Sequence, residues 1–156
     1  MEMLIVVAIL GVMAALATPR LMRMYSRMQL KTAALSIKRQ MQTAQGLTIR
    51  SKDLRYGIYY NLSTTPNTSQ TFIDNYPVGN PNSRFDPSGD ATLNDRISLP
   101  TGARFFIPGS GGIADSVVLF RGNRSAKKFG TLGLTNSRND TMRVNVLAST
   151  GRIRVQ

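Results

Sequence analysis

The sequence predicts an α+β protein, with a long kinked N-terminal helix followed by an antiparallel β-sheet domain. Three observations carry this. Residues 3–18 form an uncharged apolar run. Further on, Leu30, Ala34, Ile37, Met41, Ala44 and Leu47 recur at spacings of three and four, which puts them on one helical face. Beyond Arg55 the helix signals stop, and short alternating segments are separated by clusters of Gly, Pro, Asn and Asp.

The first element, residues 1–19, holds a single acid, Glu2, ahead of the apolar run, which closes on Thr18-Pro19. Its sixteen residues from Met3 to Thr18 would span about 24 Å as a helix. A hydrocarbon layer of ~30 Å asks for about 20 residues. Eight of the sixteen are Leu, Ile or Val, so the segment favours a membrane or an equally apolar surrounding. A cleaved export signal is the competing reading, since Ala15-Leu16-Ala17 offers a small-x-small site. Against it, the residues before the run are Met1 and an acid, where such a signal carries positive charge.

The second element, residues 20–54, continues as an amphipathic helix. Its apolar stripe is expected to pack on the domain that follows, while Arg20, Arg23, Arg27 and Lys31 form a wet basic stripe. Pro19 cannot donate to the carbonyl of Ala15, which predicts a kink. Alternatively, Thr18 caps a new helix with Pro19 at its first position.

Residues 55–156 form the β domain. Strands are expected at Arg55–Asn61, Thr71–Asp74, Ile97–Leu99, Ala103–Ile107, Ser116–Phe120, Phe129–Leu134, Thr141–Ala148 and Arg152–Val155. Residues 62–95 read as a long irregular stretch holding only one of them. Gly109-Ser110-Gly111-Gly112 reads as a flexible hairpin tip, and Ser149-Thr150-Gly151 as a turn.

The 156 residues contain neither Cys nor His. A disulfide framework and thiolate metal sites are thereby excluded, and the commonest general base and metal ligand are missing. No enzyme, cofactor or small-molecule substrate is expected. The net charge of +12 is segregated. Residues 20–55 carry +8, residues 56–120 carry −2 and residues 121–156 carry +7. Two basic blocks around a mildly acidic middle point to a polyanionic partner.

Glu2, then Gly11 and Pro19, with Ala14-Ala15 between, resembles the N-terminal segment of type IV pilins and type II secretion pseudopilins. In that family a leader ending in Gly is removed, the new N-terminus is methylated, and a Glu shortly after it is followed by such a helix. The resemblance implies that Met1 stands a few residues inside the mature chain. It also implies single-pass anchorage in a bacterial inner membrane with the domain outside, although a simple positive-inside count would place the basic segment after the run in the cytoplasm. Pilin or pseudopilin subunits are the implied partners in a hetero-oligomeric filament. Glu2, Gly11 and Pro19 are the implied assembly residues, Glu2 meeting the N-terminal amine of a neighbouring subunit. On the residues alone, Glu2 is equally an interfacial charge at a helix start.

The tail, with Val-Val-Leu-Phe-Arg-Gly at 117–122 and Gly-Arg-Ile-Arg-Val at 151–155, resembles the pseudopilin H and FimT branch of the family. FimT-type minor pilins are associated with DNA binding through a Gly-Arg-x-Arg element, here Gly151, Arg152, Ile153 and Arg154. On a strand, Arg152 and Arg154 project from one face, and Gly151 would let the turn approach a phosphate. Arg124, Lys127, Lys128, Arg138 and Arg143 could extend the patch, and guanidinium forks suit phosphate. The alternative is a charged strand edge that guards against aggregation. With four to five phosphates contacted, log K should fall with log salt at a slope of about −4. Few aromatics lie near the patch, so base stacking is expected to be minor and binding sequence-tolerant. Two alternatives stay open: a secretion pseudopilin that binds no DNA, and a secreted β-rich binding protein with a cleaved signal.

The remaining motifs carry less. Ser125-Ala126-Lys127-Lys128 fits Ser-x-x-Lys without its companion elements. The scattered Asp residues fit turns better than a metal site, and the Asn-x-Ser/Thr triplets at Asn61, Asn67, Asn123 and Asn139 mark loops at most.

Overall fold

A computed structural model describes residues 2–51, 54–74 and 82–156. Helix α1 runs from Glu2 to Arg50 as a single 49-residue element, about 73 Å long. Pro19 lies inside it, and the helix continues on both sides. Thr18 is therefore no cap for a second helix. Its hydroxyl donates back to the Ala14 carbonyl at 2.7 Å, the local bond that lets Thr sit inside a helix. The helix stops at Arg50, short of the expected 54.

Among the described residues, none in the first half of α1 is buried. From Met3 to Tyr25 every large apolar side chain on it is more than half exposed. Burial begins at Leu30 and follows Ala33, Ala34, Ile37, Met41 and Ala44. The stripe then drifts from its expected course. Thr48 is buried where Leu47 was expected, because 3.6 residues per turn brings position 48 under position 44. Thr48 bonds the Ala44 carbonyl at 2.9 Å and accepts the Tyr56 N–H at 3.1 Å, which ties the helix end to the first strand.

Among the described residues, ten strands follow: β1 Tyr56–Asn61, β2 Thr68–Ile73, β3 Ala91–Thr92, β4 Ile97–Ser98, β5 Arg104–Phe106, β6 Val117–Phe120, β7 Ala126–Lys128, β8 Gly130–Thr135, β9 Thr141–Val146 and β10 Ile153–Val155. They form two antiparallel sheets. The first runs β3-β2-β1-β6-β7, with β4 also on β2, and the second runs β10-β9-β8-β5. The helix stripe packs between them, on Ile58, Tyr60, Val118 and Phe120 of the first sheet and Leu132, Leu134, Val144, Val146 and Ile153 of the second. Tyr60 meets Phe105 edge-on at 5.4 Å across this core.

Several expectations need correcting. The irregular stretch contains β3 as well as β2, and β2 starts at Thr68 rather than Thr71. Most of its Tyr76–Asn82 turn cluster lies outside the described residues. Strand β7 was not expected, since three residues with two lysines carry no alternation signal. Gly109–Gly112 is not a hairpin tip. It connects β5 in one sheet to β6 in the other, so no pair of neighbouring strands flanks it.

The two sheets differ on their outer faces. That of the first is covered: Phe72, Val117 and Leu119 form a second small core with Tyr59 and Phe85. Phe85 stacks on Tyr59 at 4.5 Å. Its loop is braced by Asp86, which accepts from the N–H and hydroxyl of Ser88, and by buried Asp74, which accepts the Ser83 N–H at 3.2 Å. The outer face of the second sheet has no such cover among the described residues.

Candidate nucleic-acid interface

Alternation decides which side chains reach that uncovered face. Leu132 and Leu134 pair with Val144 and Met142, and Ile153 and Val155 with Val146 and Val144, all turned inward. The residues between them must point out. One row reads Phe106, Gly133, Arg143 across β5, β8 and β9, extended by Gln156, which exchanges two 2.8 Å backbone bonds with Arg143. The next reads Thr131, Asn145, Arg154. Arg104, Thr135 and Thr141 lie on one side, and Arg152 opposite Leu147 on the other. Arg104, Arg143, Arg152 and Arg154 are all exposed, and no acid occupies any of these outward positions.

Three of the expected residues thus come together: Arg143, Arg152 and Arg154. The β9–β10 turn delivers them. It closes with Gly151 N–H on the Leu147 carbonyl at 2.8 Å, and Thr150 Oγ1 accepts the Arg152 N–H at 3.3 Å.

Gly151 itself has a different task. It is buried at φ +58°, and a Cβ there would stand 2.1 Å from the Arg124 carbonyl oxygen and 2.6 Å from Gln45 Nε2. The close approach that needs glycine is internal. Gln45 donates to the carbonyls of Arg124 at 2.9 Å and Gly151 at 3.3 Å, locking turn, neighbouring loop and helix together. Arg124 joins this junction through its backbone, while its side chain stays exposed beside the turn.

The other three expected residues, Lys127, Lys128 and Arg138, go elsewhere. Lys127 and Lys128 lie on β7, at the edge of the first sheet, and are half-buried. Lys128 donates to Asp115 at 2.6 Å and holds its carboxyl below the usual range. Burial pushes the Asp74 carboxyl up, against an opposing pull from the Ser83 N–H, Arg55 and Lys127. Arg138 belongs to the β8–β9 turn, in a 540 Å³ hollow with Pro19, Met22, Arg23, Arg27 and Asp140. There Arg27 Nε meets Asp140 at 3.0 Å. Asp140 is held low by the Asn136 amide first and Arg27 second. Of the assembly residues, Gly11 lies in the free half of α1, where no described residue other than its neighbours along the helix comes within 4 Å of the place a Cβ would take. Glu2 opens the helix, and its side chain lies outside the described residues.

Sequence reasoning missed Arg104, Phe106, Asn145 and Gln156. Their alternation on a strand is readable in the sequence, but the pairing of β5 with β8 that carries them to the basic face is not. A groove of 520 Å³ borders the same patch, where Lys38, Gln42 and Gln45 of α1 face the free edge of β10.

No family model and no characterised protein matches the chain by sequence. Two solved structures match it in shape. One structure of EpsH, the minor pseudopilin of the type 2 secretion system of Vibrio cholerae, superposes with a TM-score of 0.55, covering 82% of this chain and 96% of its own at 13% identity. A crystal structure of the same protein gives 0.53, with 81% and 92% covered, again at 13% identity. The chain has the pseudopilin fold. In this chain that fold is one long helix followed by two antiparallel sheets.

Proposed function

We propose that this protein is a minor pilin or pseudopilin. Its free N-terminal half-helix is held in the inner membrane and then packed among the helices of a filament, with the β domain outside. One observation carries this reading: a continuous helix whose residues 3–19 are uncharged, mostly apolar and unburied while its second half anchors a folded domain. Membrane and filament core offer that half equivalent burial, so transfer between them costs little hydrophobic free energy. Glu2 would pair with the N-terminal amine of a neighbouring subunit and set register. The decisive experiment isolates the native protein from sheared filaments and determines its N-terminus by mass spectrometry. A retained helix and loss of Glu2→Ala from the filament fraction are expected. A chain beginning at Thr18 would overturn the proposal.

The basic outer face would bind DNA during uptake, through Arg152 and Arg154 with Arg143 and Arg104 beside them. Full-length protein in detergent should shift DNA in a gel, and Arg152→Ala/Arg154→Ala should abolish the shift. The second reading is a type II secretion pseudopilin, favoured by the origin of both structural neighbours. In that case the same face would meet an exported protein or another subunit, and no DNA would be bound at low salt.

A further inference from the structure

Both sheets use the same local device on their outer faces, a phenylalanine laid over a glycine on the neighbouring strand. In the first sheet Phe72 covers Gly57, where a Cβ would stand 2.7 Å from its ring. Phe72 is fully buried there, met edge-on by Phe85 at 5.1 Å. In the second sheet Phe106 covers Gly133. A Cβ on Gly133 would lie 2.3 Å from Cε1, 2.3 Å from Cζ and 2.6 Å from Cε2. Three such similar distances arise only beneath the face of a ring, so Phe106 lies flat on the sheet with its other face turned away. That ring is only half-buried, and among the described residues no other ring packs on it.

Its surroundings set the chemistry. Arg143 is directly across Gly133 in the same row, Arg104 is two residues away on the same strand, and Arg154 and Asn145 occupy the adjoining row. The side-chain oxygen of Asn145 is buried with no hydrogen-bond partner among the described residues, while its amide nitrogen donates to Gln156 at 3.1 Å. A flat aromatic ring ringed by guanidinium groups and amides on an open sheet is a platform for a base, with phosphates held at its margin. Structural cover of Gly133 explains one face of the ring. It does not explain why the opposite face is left open amid the arginines.

We propose that the outer face of the second sheet binds single-stranded nucleic acid, with Phe106 stacking on an unpaired base and Arg104, Arg143, Arg152 and Arg154 holding the backbone. This rests on the DNA-binding reading above and narrows it. A duplex keeps its bases stacked on one another, so it can use the arginines but not the ring. Four strands span about 14 Å, room for a few nucleotides.

The test measures fluorescence anisotropy of full-length protein in detergent with oligothymidylate and with a duplex of equal length, at one salt concentration. The single strand should bind several-fold more tightly. Phe106→Leu should weaken it roughly five-fold or more and leave the duplex unchanged. Phe106→Tyr should behave as wild type. Irradiation of an iodouracil-substituted strand should crosslink to the peptide carrying Phe106, a measurement that needs no variant to fold. Equal losses for both probes, or no crosslink at Phe106, would overturn the platform. Tight duplex binding with no single-strand preference and no effect of Phe106→Leu would overturn it while leaving DNA binding intact. If neither probe binds at low salt, the DNA reading itself falls.

Discussion

Gly151 and Arg152 are chain neighbours with opposite roles, and substitutions should separate them. Gly151→Ala forces a Cβ into the Arg124 carbonyl at a left-handed φ. It should cost about 2 kcal/mol or more and lower the melting temperature by several degrees, weakening any binding only through the fold. Arg152→Ala and Arg154→Ala remove exposed side chains, for which a stability change within about 0.5 kcal/mol is expected. Thermal unfolding and gel shift on the same samples check both. A melting temperature for Gly151→Ala equal to wild type would mean that the turn is not locked as described.

Asp140 is the second case at this scale. Its carboxyl is held below the usual range by Asn136 and Arg27. An acid whose folded pKa is depressed contributes stability above its unfolded pKa and loses it as pH falls through the folded value. The Arg27 contact ties the exposed part of α1 to the β8–β9 turn. Amide exchange in residues 20–31 should therefore quicken below the ordinary carboxylate range. In Asp140→Asn the same quickening should already be present at neutral pH. Exchange rates in that variant identical to wild type at neutral pH would count against the tether.

At the scale of elements, the stripe on α1 is the main anchor between helix and domain. Ile37 is fully buried against both sheets. Ile37→Ala should cost about 2–5 kcal/mol and destabilise the whole domain, whereas Leu21→Ala, on the free half, should leave the melting temperature unchanged. This stripe was readable from spacing alone, because helical periodicity is local. Strands with clean alternation, such as β9, were readable for the same reason. What the sequence hid were the non-local pairings. Nothing near Arg104 and Phe106 announces Gly133 as a partner, and nothing near Lys127 and Lys128 announces that their strand joins the other sheet. The structure accordingly puts the arginines of β9 and β10 on one face, with Phe106 laid on it, and the lysines on the other sheet. A second local limit appears at Asn67. It reads as a loop triplet, yet it is buried, donating to the Leu62 and Thr64 carbonyls and accepting the Phe105 N–H at 2.7 Å.

Across the whole molecule, charge and apolar surface are kept apart along the axis. The free half-helix carries no charge between Met3 and Pro19, a basic stripe follows, and a second basic region lies on the far sheet. If the sheet face alone engages DNA, the number of phosphates is set by Arg104, Arg143, Arg152 and Arg154. The slope of log K against log salt should then be about −3 for a single strand. Were the stripe of Arg20, Arg23, Arg27 and Lys31 to join in, the slope would approach about −6. Removing the four arginines of the face should flatten it towards zero, while neutralising the stripe should leave it unchanged, since on the proposed function the apolar half-helix beside that stripe belongs to membrane or filament. Titrations at several salt concentrations with both sets of variants decide which basic block meets the polyanion, and a slope that follows the stripe would move the interface to the helix.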